Sequence, residues 1–460
     1  WGTYYGGADL DESYYTSIDS NGDLYMSGIT RSSALLTIAT SGAYQTVYGG
    51  PGSATIGMGD AFLAKFSSSG QRLWSTYYGG SGSDLANECD VDLTTGSVYM
   101  VGITTTSTSG VMASAGAHQT VFGGGSTLGD AFLVKFDGNG ARLWGTYYGG
   151  ALDENGLGCC VDLSGNVFLC GGTGSTEALS ISTTGSHQVN CGGWADAYIV
   201  KFSASGLRQW GTYYGGAQFD DGYGCNVDAS GNVYLTGSAS SINPGSIATP
   251  GSHQPVYGGG GMYGDGFLVK FSPAGTRLWG TYYGGSANDY LWNAEIDGSG
   301  FVYVTGMTSS ATGISTAGSH QPTNGGVIDA LLVKFDAAGA RIWGTYYGGT
   351  GNEEYAYCDL DASGNVFIAG STTSSGGTVI ATACTYQDSR GGSNDVFLAK
   401  FDPAGTRTWG TYYGGTAAEF WATVSVDMSG NIYLCGLTSS STGNVIASAG
   451  SHQPVFGGGT

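Results

Sequence analysis

The chain has 460 residues, 41% of them hydrophobic, and a formal net charge of −21 at pH 7. This acidic balance, with no basic patch, argues against nucleic acid and against anionic membranes as partners. No run of about 18 apolar residues occurs, so the sequence predicts no membrane insertion by a transmembrane helix.

The phrase Trp-Gly-Thr-Tyr-Tyr-Gly-Gly occurs seven times, with Ser replacing Gly in the second copy. A period of this kind indicates a repeat architecture, in which each unit is one supersecondary element. The copies begin at Trp1, Trp74, Trp144, Trp210, Trp279, Trp343 and Trp409.

Each repeat contains four strand-like runs. In the second repeat they are residues 84–92, Ser97–Gly102, Asp130–Phe136 and Arg142–Gly150. Alternating side chains, β-branched and aromatic residues, and Gly, Asp and Asn between the runs all favour strands in antiparallel hairpins. The sequence therefore predicts an all-β fold, a seven-bladed β-propeller of four-stranded antiparallel blades.

The two ends of the chain bear on how the propeller closes. Residues 1–7 form a fourth-strand phrase, and we expect this strand to join the C-terminal blade and close the ring. Only six third-strand segments exist, so we expect the natural chain to continue past Thr460 with an Asp-Ala-Phe-Leu-Val-Lys-Phe-like segment. The approximate blades within the single domain 1–460 are then 8–80, 81–150, 151–216, 217–285, 286–349, 350–415, and 416–460 plus 1–7.

The segment between the second and third strands of each repeat is long and rich in Ser, Thr and Gly. By strand alternation these long loops share one face of the propeller with the Tyr-Tyr-Gly-Gly connections. Because loops on a rigid scaffold often carry function, this face is the natural candidate for binding.

These phrases match a known family. The string Gly-Ser-His-Gln-Pro-Val-Tyr-Gly-Gly, followed by Asp-(Ala/Gly)-Phe-Leu-Val-Lys-Phe, Trp-Gly-Thr-Tyr-Tyr-Gly-Gly and Val-Asp-x-Ser-Gly-Asn-Val-Tyr-Leu-Thr-Gly, resembles the bacterial β-propeller repeat family called SBBP. The resemblance covers all 460 residues and implies an exported, often cell-surface bacterial protein, commonly part of a larger multidomain chain. It implies no defined activity and supplies no catalytic motif.

An acidic residue follows every Gly-Gly by four positions. If the strand that begins there is innermost, these carboxylates form a ring near the mouth of a channel, where Ca²⁺ or another cation could bind, because hard cations need several oxygen ligands. The alternative is that each carboxylate accepts backbone N–H groups at a tight turn, and the sevenfold repetition favours this structural role. The residues are Asp11, Asp84, Glu154, Asp220, Asp289, Glu353 and Glu419.

All five His occupy one repeat position, which is Tyr44 and Tyr386 in two other repeats. Replacement of His by Tyr argues against metal binding and acid–base chemistry, and favours a flat side chain packed under the long loop. The nine Cys are interpreted mainly as buried core thiols, with a Cys170–Cys191 disulfide as an open alternative.

Three Trp do not repeat, namely Trp194, Trp292 and Trp421. Irregular residues on a regular scaffold are better candidates for function than repeated ones. Trp292 and Trp421 are predicted on or beside innermost strands, and Trp194 in a shortened loop. Packing between blades is the favoured interpretation, and an aromatic platform for a glycan is the alternative.

No catalytic signature occurs in the chain, and enzymes on symmetric scaffolds usually break the symmetry at one site. The sequence therefore favours a non-enzymatic surface module for adhesion, assembly or partner binding, with a protein or glycan partner and no required cofactor. The alternatives are a carbohydrate-binding or carbohydrate-active propeller using the carboxylates, and a structural spacer of a surface filament.

Overall fold

The structure is a computed structural model that describes residues 1–34, 37–50, 59–108, 110–177, 179–243, 245–376, 379–441 and 445–459. These residues form β-strands joined by turns and loops, with no helix among them, and hence none able to cross a membrane. They group into two compact units: Trp1–Cys191 with Ala197–Tyr213 and Ile446–Thr460, and Gly192–Asp196 with Tyr214–Val445.

The first unit contains three four-stranded antiparallel sheets, and the third of them contributes only its end residues Asp196 and Tyr214 to the second unit. In each sheet the strands pair in chain order. The strands are β1 Asp11–Ile18, β2 Leu24–Thr30, β3 Asp60–Phe66 and β4 Arg72–Tyr78; β5 Asp84–Asp92, β6 Ser97–Thr104, β7 Asp130–Phe136 and β8 Arg142–Tyr148; and β9 Gly158–Val161, β10 Val167–Thr173, β11 Asp196–Phe202 and β12 Arg208–Tyr214.

The second unit contains three more four-stranded sheets and one two-stranded sheet. The strands are β13 Asp220–Val227, β14 Val233–Ala239, β15 Asp265–Phe271 and β16 Arg277–Tyr283; β17 Asp289–Ile296, β18 Val302–Thr308, β19 Asp329–Phe335 and β20 Arg341–Tyr347; β21 Glu353–Leu360, β22 Val366–Thr372, β23 Asp395–Phe401 and β24 Arg407–Tyr413; and β25 Glu419–Val426 and β26 Ile432–Thr438. The fold is all-β, built of the four-stranded antiparallel blades of a β-propeller.

The prediction of seven four-stranded blades was wrong in number, because the described residues form six. The last repeat supplies β25 and β26, and the sequence contains no third-strand segment after them. The N-terminal phrase is not a sheet strand either. It bonds to the C-terminal loop instead: Tyr4 N donates to Gln453 O at 3.0 Å, and Ser448 N donates to Gly2 O at 2.8 Å.

The repeated aromatic residues join neighbouring sheets. Tyr78 at the end of β4 packs against Phe132 and Phe136 of β7, with ring centroids 5.3 and 5.8 Å apart, and its hydroxyl donates to Met112 O at 2.5 Å. Trp74 Nε1 donates to the carbonyl of Gly138 in the β7–β8 turn at 3.0 Å. Paired ring contacts of this type stabilise a fold beyond the area they bury.

The long loops cover the outer strands of their own sheets. Thr40 N donates to Ser75 O at 2.9 Å, and Tyr77 N donates to Gln45 O at 3.1 Å, so the loop after β2 bonds along β4. An outer strand otherwise presents unsatisfied backbone groups that invite pairing with other chains. The sequence predicted that these loops form a binding face. Their described parts hydrogen-bond to the outer strands and so have a structural role.

Candidate binding site

The acidic residue after the Gly-Gly of each Trp phrase is held by donors of its own repeat, and six of the seven are the first residue of an inner strand, whereas Glu154 forms an isolated bridge ahead of β9. Asp84, the first residue of β5, is fully buried. Its Oδ2 accepts Gly80 N at 2.8 Å and Thr106 Oγ1 at 2.7 Å, and its Oδ1 accepts the Thr104 hydroxyl. In the other repeats an equivalent hydrogen bond from a glycine N–H, between 2.6 and 2.9 Å long, is accepted by Asp11, Glu154, Asp220, Asp289, Glu353 and Glu419.

A second buried carboxylate faces the first across the glycine backbone. At Gly284, a Cβ atom would lie 2.5 Å from Asp289 Oδ2 and 2.9 Å from Asp265 Cγ, so only glycine fits between them. Burial, and then the charge of Asp289, raises the pKa of Asp265 to about 7, and burial raises the pKa of Asp289 to about 6. We call this arrangement the carboxylate joint; it recurs as Asp60/Gly79/Asp84, Asp130/Gly149/Glu154, Asp196/Gly215/Asp220, Asp329/Gly348/Glu353 and Asp395/Gly414/Glu419.

These contacts bear on the prediction that the seven carboxylates form a ring that binds a cation. Each of the seven carboxylates has donors within its own repeat, which is the arrangement expected for a structural role. In the part of the chain that the structure describes, no group of three or more His, Cys, Asp or Glu is placed to hold a metal ion. Binding of Ca²⁺ or another cation to these residues stays a prediction of the sequence.

The His residues occupy a packing niche that Tyr fills equally well. His118 lies against Tyr148 and Phe202, with ring centroids 6.0 and 5.6 Å apart. Tyr44 takes the same place against Tyr78 and Phe136. Burial, and then the nearby Arg208 charge, lowers the pKa of His118 to about 4. The interpretation of this position as a flat packing residue is confirmed.

The described residues contain no Cys170–Cys191 disulfide, so that alternative was wrong in this structure. Cys170 lies on the fully buried strand β10, and Cys191 is half-buried. Cys89, Cys159, Cys225 and Cys358 are buried, as expected for small core side chains.

Two of the three non-repeating Trp belong to one continuous cluster in the second unit. The cluster, here called the aromatic array, links Trp292 and Trp421 through tyrosines. Its members are Tyr223, Tyr263, Tyr290, Trp292, Tyr355 and Trp421.

Trp292 is the centre of the array. Its ring lies 4.4 Å from Tyr223, 5.8 Å from Tyr290 and 5.6 Å from Tyr355, centroid to centroid. The Tyr290 and Trp292 planes are parallel within 3°. Tyr263 extends the array beyond Tyr290 at 5.4 Å, so the rings form a continuous path rather than isolated pairs.

Irregularities in the inner strands place these side chains. Tyr223 and Trp292 lie at register shifts in β13 and β17, each directly after the residue that pairs with a glycine of the next strand, Gly237 or Gly306. A bulge leaves a residue outside the ladder and re-aims its side chain. The same shift occurs in β1 and β5, so the bulge is repeated and the residue type at it differs. Because β13, β17, β21 and β25 lie side by side in that order, the re-aimed rings meet.

Two array residues adopt a backbone conformation that side chains rarely take. Tyr355 has φ 56° and Trp421 has φ 48°, and pairing in β21 and β25 is interrupted at these positions. A left-handed conformation of a non-glycine residue costs on the order of 1–3 kcal/mol and is found preferentially at functional sites. Fold stability alone does not explain a strained aromatic residue on each of two neighbouring strands.

The array is partly open to solvent and has one buried carboxylate, Asp221, beside Tyr223. Tyr290, Trp292 and Tyr355 are half-buried, and Tyr263 at its end is 38% exposed. Burial, and then the charge of Asp221, raises the pKa of Tyr223 well above its ordinary value. Half-buried and exposed rings of the array thus lie near the buried carboxylate of Asp221.

Trp194 does not join the array. Its side chain is 82% exposed and has no ring contact with another aromatic residue in the described ranges. The three non-repeating Trp thus divide into two members of a cluster and one isolated surface residue. Sequence reasoning missed Tyr223, Tyr263, Tyr290 and Tyr355, although their signal was present: each breaks the repeated pattern near the start of an inner strand or just before a third strand.

Comparison with known proteins yields distant similarities. No family model matches the chain. It is 24% identical over 366 residues to the regulatory protein FlaEY of Caulobacter vibrioides, an alignment that covers 74% of this chain. The chain spans only about a third of that relative's length (35%).

Two solved structures resemble the chain at low levels. A protein of unknown function from Dyadobacter fermentans has 10% identity and a TM-score of 0.40, covering 89% of this chain and 96% of its own. The Pan2 WD40 domain of Neurospora crassa has 9% identity and a TM-score of 0.41, covering 94% of this chain and 89% of its own.

Proposed function

We propose that this chain is a non-enzymatic binding module whose partner is recognised by the aromatic array. The array carries the proposal, because it gathers irregular, half-exposed rings on one stretch of an otherwise repeated scaffold. Large amphipathic rings supply contact area at low conformational cost and are enriched in binding surfaces.

The carboxylates support binding over catalysis. A hydrolase of the carbohydrate-active type needs two carboxyl groups facing a common open site. Here the repeated carboxylates of the second unit, such as Asp289 and Glu353, are fully buried and bonded within their own repeats. The array, by contrast, contains half-buried rings that a partner can contact, at Tyr290, Trp292 and Tyr355.

The setting of this function is proposed on sequence grounds. The repeat phrases resemble those of exported bacterial propellers, so we propose an extracellular or cell-surface location. The distant relative is named a regulatory protein, which fits a role exercised through binding.

Two variants, Trp292→Ala and Trp194→Ala, test the proposal beside the unchanged chain. Each protein is screened for binding to libraries of immobilised peptides and glycans. We expect the unchanged chain to bind at least one class of ligand and Trp292→Ala to lose about tenfold or more in affinity, as is typical of a central interface aromatic. Trp194→Ala is the matched control, since it removes the same side chain at an exposed, isolated position.

Far-ultraviolet circular dichroism and thermal melting of each variant separate lost binding from lost folding. A loss of binding in Trp194→Ala but not in Trp292→Ala would contradict the assignment of the site. Turnover of a glycan or peptide by the unchanged chain would contradict the non-enzymatic role.

A further inference from the structure

We propose that the outer edge of strand β26 binds one extended segment of a partner polypeptide, which adds to the last sheet as a third strand. The segment has the sequence type of the repeat's own third strands, Asp-Ala-Phe-Leu-Val-Lys-Phe, as in β7. This surface is separate from the aromatic array, so the inference goes beyond the proposed function. In strand addition to a sheet edge, backbone hydrogen bonds give affinity and pockets for alternate side chains give specificity.

Strand β26 lies at the edge of its sheet in the part of the chain that the structure describes. It pairs with β25 in a two-stranded sheet, whereas the second strand of each four-stranded sheet also pairs with a third. In β22 and β23, for example, Val366 pairs with Phe401 and Thr372 with Asp395. An edge strand of this kind is a template on which a further strand can pair.

The side chains of β26 are less buried than those of equivalent strands. Every residue of β14 and of β22 is buried. In β26, by contrast, Ile432 and Leu434 are half-buried and pack against a core formed by residues of β22, β23 and β25, and Leu437 is also half-buried. Covering partly exposed apolar side chains is favourable, so the edge of β26 favours an apolar strand.

The pairing in other repeats defines which residues of the segment would cover these side chains. Ile368, at the position of Leu434, pairs with Ala399, the fifth residue of β23. Two residues earlier, Ile432 stands where the partner is the final Phe of a third strand, as in the pairing of β14 with β15. The same register places the small or β-branched fifth residue of the segment on Leu434 and its last Phe on Ile432.

A glycine in β26 leaves room for the Phe at the third position of the segment. A Cβ atom would lie 2.6 Å from the ring of Phe267 at Gly237 in β14, and 2.9 Å from the ring of Phe397 at Gly370 in β22. Gly436 is the equivalent residue of β26 and is exposed. The atoms nearest to a Cβ there are backbone atoms of β25, at 3.0 and 3.3 Å. The last repeat thus has the glycine that admits a third-strand Phe.

Charge at the turn between β25 and β26 fits the lysine of the segment. In four repeats the third-strand lysine forms an ion pair, 2.9 to 3.2 Å long, with the Asp of this turn: Lys65–Asp19, Lys201–Asp162, Lys270–Asp228 and Lys400–Asp361. The Asp of the last repeat is Asp427, and the six lysines of the chain all lie on the third strands of other repeats. Asp427 accepts Ser429 N and Asn431 N within the turn, at 2.9 and 2.8 Å. A bound segment would supply the lysine that the last repeat lacks.

No third strand of the sequence is available for this edge without loss elsewhere. The six such segments are β3, β7, β11, β15, β19 and β23, and each is paired on both sides in its own sheet. Moving one of them to β26 would open the sheet that it left. A segment of a separate polypeptide fits the edge, because strand addition needs no covalent connection to the sheet.

Two labelled peptides test the proposal with the intact 460-residue chain. One is Asp-Ala-Phe-Leu-Val-Lys-Phe, and the other is the scrambled peptide Lys-Phe-Asp-Val-Ala-Phe-Leu. We expect the third-strand peptide to bind about tenfold or more tightly in fluorescence anisotropy, because only its side chains match the register. Equal affinity for the two peptides would overturn the proposed sequence type.

Hydrogen–deuterium exchange locates the bound peptide. We expect the third-strand peptide to slow exchange of the amides of β26, since backbone hydrogen bonds protect them. The outer strand β24 of the neighbouring sheet is the internal control, and its exchange should not change. Slower exchange elsewhere, with none in β26, would overturn the placement.

One apolar position tests the placement by mutation. We expect Leu434→Glu to weaken binding of the third-strand peptide about tenfold or more, because a carboxylate would be covered by an apolar strand. Leu278→Glu is the matched control on β16, where the side chain is 49% exposed, and we expect unchanged affinity. Circular dichroism confirms that both variants are folded. Equal losses in the two variants would contradict binding at β26.

The register is tested without disturbing the core. Asp427→Asn keeps an oxygen for the two N–H groups of the turn, and we expect it to weaken binding of the third-strand peptide about threefold through the lost ion pair. A peptide with norleucine in place of lysine should bind both proteins equally. The same ratio for both peptides would overturn the register that pairs lysine with Asp427.

The remaining outcomes separate this inference from the proposed function and from a continuous chain. We expect Trp292→Ala to bind the third-strand peptide as the unchanged chain does; loss of that binding in the folded variant places the peptide on the array and overturns this inference. A segment that protects β26 only when it is fused to the chain through a flexible linker, and never as a free peptide, overturns a separate partner. Absence of protection in both forms overturns strand addition and leaves the function proposed for the array untouched.

Discussion

The carboxylate joint and the aromatic array both include residues of β17, but they differ in how regularly they recur, how deeply they are buried and how fully they are hydrogen-bonded. On β17, Asp289 lies in a joint that recurs throughout the chain, whereas Trp292, three residues later, is replaced by Tyr14, Asn87 and Leu157 at the equivalent positions of the first unit. The carboxylate is fully buried and bonded to Gly285 N and Ser310 Oγ, whereas Trp292 is half-buried and its Nε1 has no hydrogen-bond partner in the described structure.

This contrast shows how one scaffold separates stability from recognition. Each joint fixes a Gly-Gly connection through bonds that every repeat needs, so its residue types are restricted by space and by donors. The register shift a few residues later frees a side chain from the ladder, and there the residue type is free to change. Changes in the joint should therefore affect folding, and changes in the array should affect binding.

The largest effect is expected from filling the joint. In Gly284→Val, the new side chain would collide with the carboxylates of Asp265 and Asp289, since a Cβ alone comes within 2.5 Å of Asp289 Oδ2. We expect a loss of about 3 kcal/mol or more in the free energy of unfolding, because overpacking here also disturbs buried charges. Urea denaturation followed by circular dichroism measures the change.

The matched control is Gly298→Val, in the turn between β17 and β18. A Cβ atom at Gly298 meets no other heavy atom within 4 Å, and its φ lies outside the left-handed region. We expect a change within about 0.5 kcal/mol, as for most exposed substitutions. Similar losses in the two variants would show that valine itself, and not the space between the carboxylates, is responsible.

An intermediate effect is expected from a repeated Trp. Trp279 Nε1 donates to Ala337 O at 3.1 Å, and its ring lies 6.0 Å from that of Tyr234. We expect Trp279→Ala to cost about 2–3 kcal/mol of stability, from lost packing and an orphaned carbonyl, with ligand affinity unchanged. Trp292→Ala should cost less stability, about 1–2 kcal/mol, and weaken ligand binding about tenfold or more.

Thermal melting and binding of the ligand found in the peptide and glycan screen, measured on both variants, decide this comparison. The division between scaffold and site fails if Trp279→Ala weakens binding as much as Trp292→Ala does. It also fails if Trp292→Ala leaves binding intact at temperatures where the variant is folded.

The strands were largely predictable because period and alternation fix them. The runs proposed for the second repeat, such as residues 84–92 and Asp130–Phe136, are strands β5 and β7. Blade number was overestimated because the first Trp phrase, Trp1–Gly7, has the sequence of an outer strand but no neighbouring third strand to pair with. Its backbone bonds to a loop instead, as at Tyr4 N and Gln453 O.

The site was only partly predictable. Trp292 and Trp421 could be singled out because they do not repeat, but the tyrosines that join them could not. The difficulty is physical: a register shift, as between Leu291 and Asn293, changes which side of the sheet a side chain faces, and strict alternation along the sequence misplaces it. The left-handed backbone of Tyr355 has no sequence signal, because glycine or asparagine is expected at such a position.

The smallest effect concerns the pH dependence of the joint. Burial, and then the charge of Asp289, raises the pKa of Asp265 from 3.8 to about 7, so the folded protein binds this proton more tightly than the unfolded chain. The resulting stability is fully present below about pH 4 and is lost as the pH rises through about 7. Asp265 Oδ1 is buried without a hydrogen-bond partner in the described structure. It is therefore the atom whose negative charge is removed by protonation, or by replacing the carboxylate with an amide.

Asp265→Asn removes this titration while keeping an oxygen that accepts Gln254 Nε2 and Gly258 N. At pH 8 we expect the variant to be more stable than the unchanged chain by about 1–2 kcal/mol, since a buried, incompletely bonded charge is gone. At pH 4 the two should agree, because Asp265 is then protonated in the folded protein. Urea denaturation at both pH values measures the difference, and a variant less stable at pH 8 would mean that the ionised pair itself holds the joint together.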